Sequence, residues 1–125
     1  MTKIDKKILL VEDDEDFIYI LEKKFTSEGF SVITAKDGQE GATIAEQEKP
    51  DLIISDMLMP KMDGATMGQK IRETNTRVPI IFLTNIKNVD STTEVQKSDT
   101  FDYLIKTDTS PNEIVAKAKE KLGLT

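Results

Sequence analysis

The sequence contains no cysteine, no histidine and no tryptophan. Without cysteine there is no disulfide, no thiolate nucleophile and no thiolate zinc site. Without histidine there is no imidazole base, so chemistry that needs one must borrow it from another molecule. Basic residues are not in excess: 17 Lys and Arg stand against 23 Asp and Glu, a net charge of -6. That balance disfavours direct contact with nucleic acid, whose phosphates require a basic face. No apolar run approaches the ~20 residues that cross a bilayer. The segment Met1-Thr2-Lys3-Ile4-Asp5-Lys6-Lys7 has no apolar signal-peptide core. No membrane insertion is expected, and the expected compartment is the cytoplasm. At 125 residues the chain suffices for one core of ordinary size, so a single domain over 1–125 is expected, without an attached output module.

What is present is an alternation of apolar strand-like runs with helical patterns, the signature of βα repeats around a parallel sheet covered on both faces. Five such pairs can be counted. Ile8-Leu9-Leu10-Val11 reads as a buried strand running into Glu12-Asp13-Asp14-Glu15-Asp16, where acids suit the positive end of the next helix. Phe17, Leu21 and Phe25 form that helix's inward stripe, and Gly29 stops it. Ser31-Val32-Ile33-Thr34-Ala35 alternates enough for an edge strand. Asp37 and Glu40 have capping-box spacing, so a second helix starts there with Ala42, Ile44 and Ala45 as its modest apolar face. Leu52-Ile53-Ile54 is a short continuous apolar run, as in a strand buried on both faces, and it ends on Asp56. A third helix is expected from Gly64 to about Glu73 with Met67 and Ile71 inward, then a strand over Pro79-Ile80-Ile81-Phe82-Leu83-Thr84. Residues 87–99 carry only Val89 and Val95 as clear apolar positions, so a helix there is expected to be short or mobile. Phe101-Asp102-Tyr103-Leu104-Ile105 is the last strand. Ser110-Pro111-Asn112-Glu113 then gives the best helix start in the chain, with Ile114, Val115, Ala118 and Leu122 inward and Gly123 as the stop.

Strand ends carry the chemistry. Glu12 and Asp13 follow the first strand, Asp56 closes the third, Thr84 the fourth, and Lys106 follows the fifth. Parallel strands bring these ends to one edge of the sheet, where ligands of open α/β sheets bind. Taken singly, each has an ordinary alternative: a solvated lysine, a strand-end cap, a charged loop. Taken together, clustered carboxylates need positive charge among them, and a hard divalent cation with oxygen ligands supplies it, Mg2+ being the natural candidate. Lys106 can pair with Asp56 at rest and with an arriving phosphoryl oxygen later, and Thr84 can donate to the same group.

These residues resemble the receiver domains of two-component response regulators, most of all the single-domain chemotaxis-receiver type. The matching stretches are Ile8-Leu9-Leu10-Val11-Glu12-Asp13-Asp14, Asp56-Met57-Leu58-Met59-Pro60-Lys61-Met62-Asp63-Gly64, Leu83-Thr84 and Asp102-Tyr103-Leu104-Ile105-Lys106, in the family's order over nearly the whole chain. The resemblance implies a doubly wound, flavodoxin-like α/β fold, a (βα)5 three-layer sandwich with strand order 2-1-3-4-5. It implies that Asp56 is the phosphoacceptor for a phosphohistidine on a sensor histidine kinase or histidine phosphotransfer protein. Asp13, Asp56 and the backbone carbonyl of Leu58 would ligate Mg2+, with Glu12 acting mainly through bound water. Thr84 and Lys106 would hold phosphoryl oxygens. Thr84 and an inward-turning Tyr103 would pass the change to a downstream protein target, and a phosphorylation-dependent dimer is possible within the family.

Six positions, in three groups, depart from the family's pattern. Lys106 is followed by Thr107 where proline in a cis bond is usual, and because a non-proline cis bond costs about 3 kcal/mol or more, a trans bond and a rearranged loop are expected. Leu58 and Ile86 are apolar where relatives carry groups that orient the hydrolytic water, and Asn85 replaces a smaller residue, so a long-lived phosphoryl state is expected. Asp99-Thr100 replaces the usual Gly-Ala before the last strand. Three other functions fit less well. A non-phosphorylated scaffold of the same fold has no need of Asp56, Thr84 and Lys106 together. A flavodoxin-like electron carrier needs a phosphate-binding loop where Glu12-Asp13-Asp14-Glu15-Asp16 would repel phosphate. An aspartyl-phosphate hydrolase wants an acid where Leu58 stands.

Overall fold

The computed structural model describes residues 3–59, 61–75, 77–85 and 101–124. Five parallel strands form one sheet in the order β2-β1-β3-β4-β5: β1 (Lys7–Val11), β2 (Ser31–Ala35), β3 (Leu52–Asp56), β4 (Ile80–Thr84) and β5 (Phe101–Ile105). Among the described residues the α-helices are α1 (Glu15–Ser27), α2 (Gly38–Glu48), α3 (Gly64–Thr74) and α4 (Pro111–Lys121). The expected strand order and doubly wound architecture are therefore present. The helix expected over 87–99 lies outside the described residues, as does Ile86.

Apolar continuity decides which strands are central. Every residue of β3 and β4 is buried, and so is β1 after its first residue, whereas β2 and β5 are only partly covered, as edge strands are. Successive side chains on a strand point to opposite faces. Ile8, Leu10, Leu52, Ile54, Ile81 and Leu83 accordingly meet Leu21 and Phe25 of α1 and Ile114, Val115 and Ala118 of α4. On the other face Leu9, Val11, Ile53, Ile80 and Phe82 meet Ala42 and Ala45 of α2 and Met67 and Ile71 of α3. Two helical layers thus sandwich the sheet.

Local signals set the helix ends. Asp14, rather than an acid inside the first turn, caps α1, accepting from the Asp16 and Phe17 amides at 3.1 and 3.2 Å. Gly29, at φ 103°, lets the chain turn out of α1: its amide donates to Thr26 O at 3.0 Å and that of Phe30 to Phe25 O at 3.1 Å. The Phe25 and Phe30 rings then meet edge to face at 5.5 Å. At α2 the Glu40 amide donates to Asp37 Oδ1, but the Glu40 carboxylate accepts from Lys36 N, one residue short of a true capping box. The true box is at α4, where Ser110 Oγ accepts from Glu113 N and Glu113 Oε1 from Ser110 N.

Phe25 joins the core to the stop of α1, so Phe25→Ala is expected to cost about 3–5 kcal/mol. Urea unfolding would show this as a lower midpoint with an unchanged slope. A loss below about 1 kcal/mol would mean that the α1 face contributes little to the core.

Candidate functional site

Strand register gathers the site. Val11 lies beside Ser55, Asp56 beside Leu83 and Thr84 beside Ile105, so the C-terminal ends of β1, β3, β4 and β5 share one edge. β1 and β3 are also where the strand order reverses, the crevice in which doubly wound sheets bind ligands. The Met57 amide continues the ladder to Leu83 O at 2.9 Å, fixing the backbone just beyond Asp56.

The acidic run after β1 divides into separate tasks. The Glu12 amide donates to Ala35 O at 3.0 Å, and the Glu12 side chain turns inward to 4% exposure. Asp13 is exposed, and Asp14 is spent on capping α1. Asp56 ends β3 at 9% exposure. Carboxylate oxygens of Glu12, Asp13 and Asp56 lie within 4.8 Å of one another.

Lys106 opens a 3-10 turn (Lys106–Asp108) directly after β5. Its bond to Thr107 is trans, as expected. Its ammonium donates to Glu12 Oε1, and Asp56 Oδ2 lies 3.5 Å away. The pairing with Asp56 expected from the sequence is therefore present, but Lys106 is shared and Glu12 is the nearer partner. Beneath it lies Phe17, its ring centroid 4.6 Å from Nζ. Sequence reasoning placed Phe17 in the buried stripe of α1, which is where it packs. It missed the second role, although an aromatic in the first turn after an acidic loop is the available signal.

Thr84 closes β4 and is buried. Tyr103 is half-buried, its ring stacked on Phe82 with centroids 5.5 Å apart and planes 29° apart, so it packs inward against the α2–α3 layer. Leu58 is 62% exposed and Asn85 is exposed.

Crowding shows in the titration of the site. Burial pushes the Glu12 carboxyl up to about 7; Asp56 adds to the rise and Lys106 opposes it. For Lys106, burial acts to lower the pKa, but the hydrogen bond to Glu12 and the charges of Asp56 and Glu12 outweigh it, and the net direction is upward. Ionised together, three carboxylates against one ammonium leave an excess of negative charge. An all-oxygen donor set of this sign fits a hard divalent cation such as Mg2+.

Comparison with known proteins agrees with this geometry. The family model for the response regulator receiver domain matches residues 8–119. A probable transcriptional regulator ycf27 of Guillardia theta is 37% identical over 120 residues, covering 96% of this chain and 46% of that protein. The chain spans about half or less of the length of the curated relatives it matches. The receiver domain of the Francisella response regulator 1452 is 27% identical with a TM-score of 0.86, covering 95% of this chain and 98% of that one. The receiver domain of the sensor histidine kinase PA1611 from Pseudomonas aeruginosa PAO1 is 28% identical with a TM-score of 0.83, covering 96% and 99%. That structure has a magnesium ion coordinated in its active site cleft.

Because the folded pKa of Glu12 lies above its ordinary 4.5, its contribution to metal-free stability is full below about 4.5 and is lost as pH rises through about 7. Metal-free protein should lose unfolding free energy over that window relative to Glu12→Gln. Mg2+ binding should strengthen over the same window and release a proton. Calorimetric titration in buffers of different ionisation enthalpy measures the proton. Binding with no proton release at pH 6.5 would contradict the assignment of Glu12.

Proposed function

This chain belongs to the response regulator receiver domain family, and on that footing we propose that Asp56 accepts a phosphoryl group from a phosphohistidine on a partner protein. The observation that carries the proposal is the position of Asp56, at the end of a fully buried strand, within 4.8 Å of two further carboxylates and 3.5 Å from the Lys106 ammonium. An Asp56 carboxylate oxygen attacks phosphorus, the P–N bond of the partner's phosphohistidine breaks, and the imidazole leaves and takes up a proton. The product is an acyl phosphate on Asp56. Such transfer needs positioning and charge neutralisation more than covalent assistance.

Each side chain has a share in that task. β3 holds Asp56 rigid, since its neighbours Ile54 and Ser55 are buried and the Met57 amide is tied to β4. Lys106, already drawn toward Asp56, meets an oxygen of the arriving group. Thr84, on the adjoining strand, donates a hydrogen bond to another. Asp13, Asp56 and the carbonyl of Leu58 would hold Mg2+, which would supply charge neutralisation for the phosphoryl oxygens. Glu12 keeps Lys106 in place and would act on the metal through water. Movement of Thr84 toward the phosphoryl group, together with the inward Tyr103, alters the surface read by a downstream protein target.

The phosphodonor is a sensor histidine kinase or a histidine phosphotransfer protein, and the setting is the cytoplasm. Among the described residues no helix is long and apolar enough to cross a membrane. A phosphorylated dimer is a further state open to the chain. Leu58 presents an exposed apolar side chain beside the site, where it offers no hydrogen bond to a hydrolytic water. The acyl phosphate is accordingly long-lived.

Incubation with a small acyl-phosphate donor and Mg2+ should add one phosphoryl mass to the intact protein and none to Asp56→Asn. Labelling of Asp56→Asn at the wild-type rate would refute Asp56 as the acceptor. The Leu58→Asn variant should lose phosphate about five- to tenfold faster, the equivalent of one hydrogen bond of about 1 kcal/mol to the attacking water. A wild-type decay already as fast as that of a chemotaxis-type receiver would count against the long lifetime.

A further inference from the structure

Between Asp56 and α3 the described residues are 57–59, which include the Leu58 carbonyl, and 61–63. The ends of this loop are tied where the Gly64 amide donates to Met57 O at 2.8 Å. A Cβ on Gly64 would lie 2.7 Å from Asp56 O and 3.0 Å from Met57 Cα, so α3 begins against the backbone of the phosphoacceptor itself. The outer part of the loop is met by a different element, the start of α2. A Cβ on Gly38, the first residue of α2, would lie 2.2 Å from Met62 O and 2.9 Å from Met62 C. Both are backbone atoms, so no change of rotamer relieves the clash. Only the loop or the helix can move.

Other features meet at the same place. Lys61 holds φ 68°, the left-handed region that side-chain-bearing residues rarely adopt, which indicates a loop conformation imposed by its surroundings. Lys61 Nζ lies 3.7 Å from Asp37 Oδ2, and Asp37 is the cap of α2. The cap is itself held, because Asp37 accepts from Glu40 N at 2.8 Å while Glu40 accepts from Lys36 N at 2.8 Å. Behind it α2 packs closely: a Cβ on Gly41 would lie 2.9 Å from both Met67 Sδ and Val11 Cγ2. The helix is therefore packed closely on α3 and β1 at Gly41.

The geometry points to the start of α2, and Gly38 above all, as the positioning element that sets the backbone of residues 61–63 and through it the Mg2+ affinity and phosphoryl capture of the site. This rests on the reading of Asp56 and the Leu58 carbonyl as metal ligands. Gly38 acts on that site only through Met62 and the loop backbone. A side chain at position 38 pushes the loop outward, and the carbonyl that should face the metal moves with it.

The test compares Gly38→Ala with Gly41→Ala. Gly41→Ala strains the same helix but presses on side chains of α3 and β1, not on the loop backbone. Both should lower Tm. Only Gly38→Ala should weaken Mg2+ binding by calorimetry, by about tenfold or more, as loss of support behind metal ligands commonly does. Only Gly38→Ala should also speed amide exchange over 57–63 in metal-free protein. Equal weakening in both variants, or an unchanged Mg2+ affinity in Gly38→Ala, would overturn the inference. Should Gly38→Ala not fold, Lys61→Gly decides: it keeps the left-handed backbone at no cost but loses the tie to Asp37. It should bind Mg2+ less tightly and exchange faster over the loop, and unchanged values would refute the brace. A wild-type protein that binds no Mg2+ and takes no phosphoryl group counts against the functional reading instead, and loop exchange in the metal-free variants still reports on Gly38.

Discussion

Three carboxylates held within 4.8 Å of one another dominate the chemistry of this domain. Left in water they would separate, because like charges at that spacing repel and burial strengthens the repulsion. The fold opposes this by fixing the backbone that carries them, and the response is visible in the surroundings. Glu12 holds its proton up to about 7, Lys106 is drawn toward both Glu12 and Asp56, and Phe17 offers its ring face to the same ammonium. One ammonium cannot balance three acids. The ammonium together with a divalent cation can.

The sheet makes that crowding affordable. β3 and β4 are buried along their whole length and β1 along nearly all of it, so the ends of these strands cannot shift without disturbing both core layers. Asp56 and Glu12 sit at the point where the strand order reverses, with α1 leaving on one side and the α2–α3 layer packed on the other. Rigid strands alone do not position the loop after Asp56. That loop is held between the start of α3 at Gly64 and the start of α2 at Gly38, two glycines at which a methyl group would strike backbone. The acidic cluster thus sits on rigid strand ends, beside a backbone that two helix starts approach closely.

Much of this was legible in the sequence because it rests on local physics. The continuous apolar runs of β1 and β3 read as buried strands and the alternating Ser31–Ala35 as an edge, and the sheet order bears both out. Ser110 with Glu113, Gly29 and Gly123 marked helix ends that they do mark. Relations between distant elements were harder to read. Nothing in the spacing of residues tells Lys106 to prefer Glu12 over Asp56, since that depends on which carboxylate is turned inward. The Glu12 backbone is fixed by Ala35 O on the neighbouring strand, a contact that spacing along the chain does not reveal. Gly38 likewise looked like an ordinary residue after a cap, because the carbonyl it must avoid belongs to Met62, in a loop two elements later. Glu40 reaching Lys36 instead of Asp37 shows the same limit at shorter range: a capping pattern fixes which residues meet, not which amide donates the bond.

The most direct test of the account is to locate the cation. A crystal of the protein grown with Mn2+ in place of Mg2+ gives an anomalous signal that identifies the ion without reference to any assumed ligand. The account predicts one peak in the hollow, bounded by oxygens of Asp13 and Asp56 and by the Leu58 carbonyl, with Lys106 still facing Asp56. An empty hollow at millimolar Mn2+, or a peak elsewhere on the acidic surface, would contradict it.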